Sequence, residues 1–246
     1  MQDRLRIFDL GARDGLDRRW EPFHDSIEVL AFEPDREECE RLELEAGSLG
    51  YPCRFVPEAV GRETKDDVVF HVARWPVASG LYPPNLDFLS GFPYAPSLLG
   101  VVDERRIATI ALDDLCRRES VWPDYLKLDV EGAELDVLLG GEEALRRTLV
   151  LDVEVEFEPI RIGQPLFFEV DGHLRDRSWR LIGLRRIHWN GHEGERLIQG
   201  DALYCNAAAL AAGLSPAGAA KLDVILTAYG KPKPHASRAE SAPTSR

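Results

Sequence analysis

The 246-residue chain sets 43 Asp and Glu against 30 Lys and Arg, a net charge of −13, with 44% hydrophobic residues. That length fits one α/β domain that buries a full core without staples, and the acidic balance argues against wrapping duplex nucleic acid, whose readers usually carry a basic face. No apolar run approaches the ~18 residues of a membrane span, no signal segment precedes the first strand, and Cys39, Cys53, Cys116 and Cys205 form no Cys-x-x-Cys pair, so a cytoplasmic protein without a zinc cluster or disulfide framework is expected.

The chain opens on Leu5-Arg6-Ile7-Phe8-Asp9-Leu10-Gly11-Ala12-Arg13-Asp14-Gly15. Leu5, Ile7, Phe8 and Leu10 make an apolar run of strand length, followed by a glycine turn and a polar segment, 16–24, expected to be helical. A glycine after the first strand of a parallel sheet lets the backbone approach a ligand where a Cβ would block it. A second strand, 27–32, ends in Glu33-Pro34-Asp35, which places Glu33 to accept hydrogen bonds from a ribose diol. The glycines are spaced Gly-x-x-x-Gly rather than Gly-x-Gly-x-x-Gly, and Asp9 would repel a pyrophosphate but suit an ammonium group. S-adenosylmethionine carries a ribose, an ammonium and a sulfonium, and is the cofactor these residues favour.

Residues 36–46 read as a helix closed by Gly47, 54–60 as the third strand and 68–73 as another. Residues 75–97 carry Pro, Gly, Ser, Tyr and Asn without a period. They are expected to form a long loop whose Ser79-Gly80-Leu81-Tyr82 closes over the site. An extended segment at 101–110 and a helix at 112–118 follow. Asp124 to Glu134 is the second diagnostic stretch: a strand at 125–130, then a helix opened by Gly132 and closed by Gly140-Gly141, so that Asp129 and Glu131 face the same crevice as Gly11. In the strand at 148–157, Asp152, Glu154, Glu156 and Glu158 recur at period two and fall on one face, a costly arrangement unless they are solvated, paired or employed. A helix at 164–176, a long strand at 179–189, a returning strand at 201–205 and helices at 207–214 and 216–229 complete the domain, 1–230. Residues 231–246 read as a disordered tail.

Phe8-Asp9-Leu10-Gly11-Ala12, Ala31-Phe32-Glu33-Pro34, Ala59-Val60-Gly61, Leu112-Asp113-Asp114-Leu115 and Leu126-Lys127-Leu128-Asp129-Val130-Glu131-Gly132-Ala133-Glu134 resemble the successive signatures of the FkbM-type methyltransferases. The similarity continues through Glu154-Val155-Glu156-Phe157, Gln164-Pro165-Leu166-Phe167 and Asp201-Ala202-Leu203-Tyr204. It implies a Rossmann-like, class I S-adenosylmethionine-dependent methyltransferase, with a mostly parallel, doubly wound sheet and an antiparallel C-terminal edge. Such proteins methylate a hydroxyl oxygen, often on a sugar or polyketide, so the expected partner is a small-molecule or glycan acceptor. Where the family commonly has an asparagine, two residues after the first motif glycine, this chain has Arg13.

On this reading Asp9, Gly11, Ala12 and Gly15 hold the methionine end, Glu33 the ribose, and Asp35 and Ala59 the adenine rim. Asp129 is the leading base for the acceptor hydroxyl, with Glu154 and Glu156 as partners or substitutes. No compact metal-ligand motif is present, so a metal-free carboxylate base is expected ahead of a Mg²⁺ or Ca²⁺ site. A nicotinamide-dependent oxidoreductase and a non-catalytic binding module are the competing readings.

Overall fold

The computed structural model describes residues 4–232. Ten strands run in chain order: β1 (Leu5–Leu10), β2 (Ile27–Phe32), β3 (Cys53–Val56), β4 (Ala59–Gly61), β5 (Lys65–Ala73), β6 (Val101–Ala111), β7 (Tyr125–Leu128), β8 (Val150–Glu156), β9 (Trp179–Gly191) and β10 (Gly194–Asn206). The helices are α1 (Arg36–Ala46), α2 (Leu86–Leu89), α3 (Ala95–Leu99), α4 (Leu112–Glu119), α5 (Glu134–Leu139), α6 (Glu142–Arg147), α7 (Phe167–Asp176), α8 (Ala207–Ala212) and α9 (Pro216–Ala228). Short 3₁₀ turns cover Arg18–Ser26 and Pro76–Ala78.

Seven strands form one sheet in the order β3-β2-β1-β7-β8-β10-β9. β1, β2, β3, β7 and β8 are parallel, and β10 runs antiparallel to both β8 and β9. Strand order reverses between β1 and β7, the switch point at which open α/β sheets bind ligands outside the carboxyl ends of their strands. Alternation sorts the side chains. Phe8, Leu10, Leu126, Leu128, Leu151 and Val153 pack against α4 to α7 on one face, while Leu5, Ile7, Ile27 and Val150 pack with α1 and α9 on the other. The parallel strands thus bury both faces, as the sequence leads one to expect.

Three expectations change. The third strand does not run through 54–60: Pro57 interrupts it, and the chain leaves β3 to begin a second sheet, β4-β6-β5. The stretch 75–97 is not a structureless loop. It carries α2 and α3, which share a small core of Leu89, Phe92, Ala95 and Leu99 with Ile160 and Ile198. An extra helix, α6, follows the double glycine; Asp113 caps it, accepting from the Glu143 and Ala144 amides at 2.9 and 2.8 Å.

The four acids at period two, three on β8 and Glu158 just beyond it, are all partnered. Asp152 takes the Tyr229 hydroxyl, Gln199 Nε2 donates to Glu154 at 2.6 Å, Arg161 Nη1 lies 3.8 Å from Glu156, and Arg196 donates to Glu158 at 2.8 Å. No helix among the described residues is long and apolar enough to cross a membrane. The expected tail lies, from residue 233 on, outside the described residues.

Candidate active site

The turn after β1 is held from three sides. The Gly11 and Ala12 amides both donate to Phe32 O, at 3.1 and 3.0 Å, and the Asp129 amide donates to Leu10 O at 3.0 Å. Gly11 adopts φ +85°, and a Cβ there would sit 1.7 Å from Asp129 O. The position therefore requires glycine for both its conformation and its neighbour. Together the ends of β1, β2 and β7 frame a cavity that opens to solvent. Its wall includes Gly11, Gly15, Glu33, Ala59, Asp129 and Glu131, and its roof is the segment Pro76 to Leu81. Of the four residues expected to close over the site, Ser79, Gly80 and Leu81 line the cavity, whereas Tyr82 does not and donates its hydroxyl to Asp136 at 2.7 Å.

Five of the ten residues picked from the sequence line this cavity: Gly11, Gly15, Glu33, Ala59 and Asp129. The other five do not line it. Asp9 is 4% exposed, inside the sheet, with Lys127 Nζ at 3.3 Å. Ala12 is buried. Asp35 caps α1, accepting from the Glu37 and Glu38 amides at 3.2 and 3.4 Å. Glu154 and Glu156 lie on β8, Glu154 with an oxygen within 4.8 Å of ones from Asp129 and Glu131. Neither His173 nor His188 reaches the cavity.

Glu33 accepts from the Asp35 amide at 2.8 Å and pairs with Arg13 Nη1 at 3.4 Å. Burial pushes its carboxyl above the ordinary glutamate value, against the pull of those two donors. Arg13 also reaches Asp35 at 3.3 Å. The arginine that stands in place of the family's asparagine thus rests on the two acids assigned to the ribose and the adenine rim.

At the opposite end, β7 delivers a turn rich in acids. Glu131 adopts φ +61° and Gly132 φ +94°, and buried Glu134 closes the turn by accepting from the Val130 amide at 2.8 Å. Arg161, 2% exposed, pairs with Glu131, donates to Ala78 O at 3.3 Å and approaches Glu156. Lys127 Nζ lies 3.2 Å from Asp129 Oδ2. Asp129, Glu131, Glu134, Glu154 and Glu156 thus crowd around two cations. Burial pushes Glu131 and Glu156 up to about 7, with Arg161 opposing it. Glu134 and Glu154 are raised well above the usual range by burial first and by their acidic neighbours second. Single oxygens of Asp129, Glu131 and Glu154 fall within 4.8 Å of one another, close enough to hold a divalent cation.

Lys127, Arg13 and Arg161 were not picked from the sequence as site residues. Lys127 lay inside a quoted motif, but its pairing with Asp9 requires the register of β1 on β7. Arg161 carried no local signal, because its partners come from three separate segments.

Residues 9–181 match the family described as Methyltransferase FkbM domain. A curated relative, "2-O-methyltransferase NoeI" of Sinorhizobium fredii, is 28% identical over 169 residues, which are 64% of this chain and 66% of that protein, just under two thirds of its length. Among solved structures, precorrin-6y C5,15-methyltransferase from Geobacter metallireducens superposes with a TM-score of 0.43 at 11% identity, over 83% of this chain and 82% of that one. M. capricolum TrmK in complex with S-adenosyl-homocysteine gives 0.41 at 5% identity, over 93% and 90%. With the family matched over most of its length, the chain belongs to the FkbM-domain methyltransferases.

Proposed function

We propose that the protein is an S-adenosylmethionine-dependent O-methyltransferase acting on a hydroxyl of a sugar or a similar small-molecule or glycan acceptor. The observation that carries this reading is the single cavity at the switch point, with Glu33 at one end and Asp129 at the other. Glu33 would take the ribose hydroxyls, Ala59 would edge the adenine, and the backbone of Gly11 and Gly15 would meet the methionine end, with the Asp9–Lys127 pair beneath it. Bound there, the cofactor supplies a methyl group on a positively charged sulfur. The chain's own work is alignment and proton removal. Asp129 would accept the acceptor hydroxyl's proton, with Glu154 and Glu156 as partners or substitutes. Lys127 on Asp129 and Arg161 on Glu131 already offset part of the acidic charge, which favours the metal-free version. The name of the NoeI relative supports oxygen as the methylated atom. Incubation with methyl-labelled S-adenosylmethionine and a panel of glycosides, read by mass spectrometry, tests this: a product one methyl heavier on oxygen supports the reading, and label transfer to none of them removes it.

A further inference from the structure

Two carboxylates on the acceptor side of the cavity are built alike. Asp129 Oδ2 is held by Lys127 at 3.2 Å, and Glu131 Oε2 is held by the Arg161 guanidinium. Among the described residues no hydrogen bond reaches the second oxygen of either, and both residues line the cavity. An oxygen of one lies within 4.8 Å of an oxygen of the other. Two hydroxyls on adjacent carbons can span such a gap, each donating to a different carboxylate at ordinary hydrogen-bond length.

Glu131 is held from several sides. It holds a left-handed backbone conformation that a non-glycine residue adopts only when its surroundings impose it. Arg161 holds it from behind, with a side chain 3% exposed. Gly80 of the roof covers it so closely that a Cβ there would come within 3.1 Å of Glu131 Cβ. One base suffices to deprotonate one hydroxyl. A second fixed carboxylate beside it offers a place for a second hydroxyl, and a site built to bind a hydroxyl rejects the analogue that lacks it.

Resting on the methyltransferase reading above, we infer that the acceptor is a vicinal diol: the hydroxyl to be methylated donates to Asp129 and its neighbour donates to Glu131. Arg161 is a positioning residue that keeps Glu131 aimed at the cavity.

The experiment compares methyl glycosides having free adjacent hydroxyls with their monodeoxy analogues, each lacking only the neighbouring hydroxyl. Wild-type protein should discriminate about tenfold or more in kcat/KM, the worth of a hydrogen bond to a charged group. Glu131→Gln should raise KM for the diol and erase most of that discrimination while leaving S-adenosylmethionine affinity unchanged. Arg161→Lys, which keeps the charge, should retain more discrimination than Arg161→Met. Equal rates on diol and deoxy analogue with wild-type protein overturn the inference without recourse to any variant, as does full discrimination by Glu131→Gln. Cofactor binding is read in parallel by calorimetry. A protein that methylates only acceptors without adjacent free hydroxyls overturns this inference alone, and one that does not bind S-adenosylmethionine, or methylates no glycoside, overturns the reading beneath.

Discussion

Lys127 Nζ stands 3.3 Å from Asp9 Oδ1, and the two residues are direct neighbours across β1 and β7. Both point to the face that packs against α9, so an acid that should not survive inside a sheet is matched by a cation one strand away. Burial pushes the Asp9 carboxyl up and Lys127 draws it down, while Asp9 and Asp129 raise the lysine. Removing one member of a buried pair leaves the other uncompensated, at a cost on the order of 3 kcal/mol. Lys127→Met should lower the urea midpoint accordingly, and adding Asp9→Asn should recover part of the loss. A single variant within about 0.5 kcal/mol of wild type would show that the pair is not needed for stability.

The acid cluster predicts an unusual pH dependence. Glu131 and Glu156 bind protons up to about 7 in the folded chain, against an ordinary value of 4.5, and Glu134 and Glu154 are raised as well. Between those values the native state holds more protons than the unfolded state. The stability these groups contribute is therefore full below 4.5 and lost as pH rises through about 7. Acids drawn below their ordinary values by amides or arginines, such as Asp17 and Asp35, act in the opposite sense, but only at and below their ordinary value of 3.8. Melting temperature should therefore be higher near about pH 5.5 than near about pH 8, and Glu154→Gln should flatten the slope. A melting temperature that climbs steadily over that range contradicts the assignment.

How much of this was legible in the sequence depended on how far each signal travels along the chain. The ends of β2 and α1 were readable because their causes are local: alternating apolar residues, an Asp35 cap, and Gly47 after the last turn. Glu33 and Asp129 were readable because strand ends in a parallel sheet have a known use. The break after Val56 also has a local cause, Pro57. Helix α6 was not readable, since its cap, Asp113, lies on another helix. The order of the roof was not readable either: Asn85 N bonds Ile160 O at 2.9 Å and Ile162 N bonds Pro83 O at 2.8 Å, contacts that exist only once β8 is in place. Arg161 belongs to the same class, a residue whose role is set wholly by what folds around it.

Gly11 tests the geometry of the site. Adding a Cβ forces the turn away from Asp129 O, 1.7 Å from the new atom, at a backbone angle that favours glycine. Gly11→Ala should lower the melting temperature by several degrees, the effect of roughly 1–3 kcal/mol, and abolish cofactor binding. A variant with wild-type stability and affinity would show that the turn is free to move.

Asp129 carries the chemistry in the proposed reaction. Asp129→Asn keeps the side chain's size and removes its basicity, so turnover should fall by about 10² or more while S-adenosylmethionine affinity changes little. EDTA should leave the wild-type rate unchanged. Loss of activity with EDTA, restored by Mg²⁺, would instead put a cation among Asp129, Glu131 and Glu154.

The most direct test of the central claim is calorimetric titration of the purified protein with S-adenosylmethionine and, separately, with nicotinamide dinucleotide. The account predicts one-site binding of S-adenosylmethionine, weakened at least tenfold by Glu33→Ala with the circular dichroism unchanged, a loss matching the ~1.5–3 kcal/mol of a charge-assisted contact to the ribose, and no binding of the dinucleotide. Absence of S-adenosylmethionine binding, or an affinity untouched by Glu33→Ala, would contradict it.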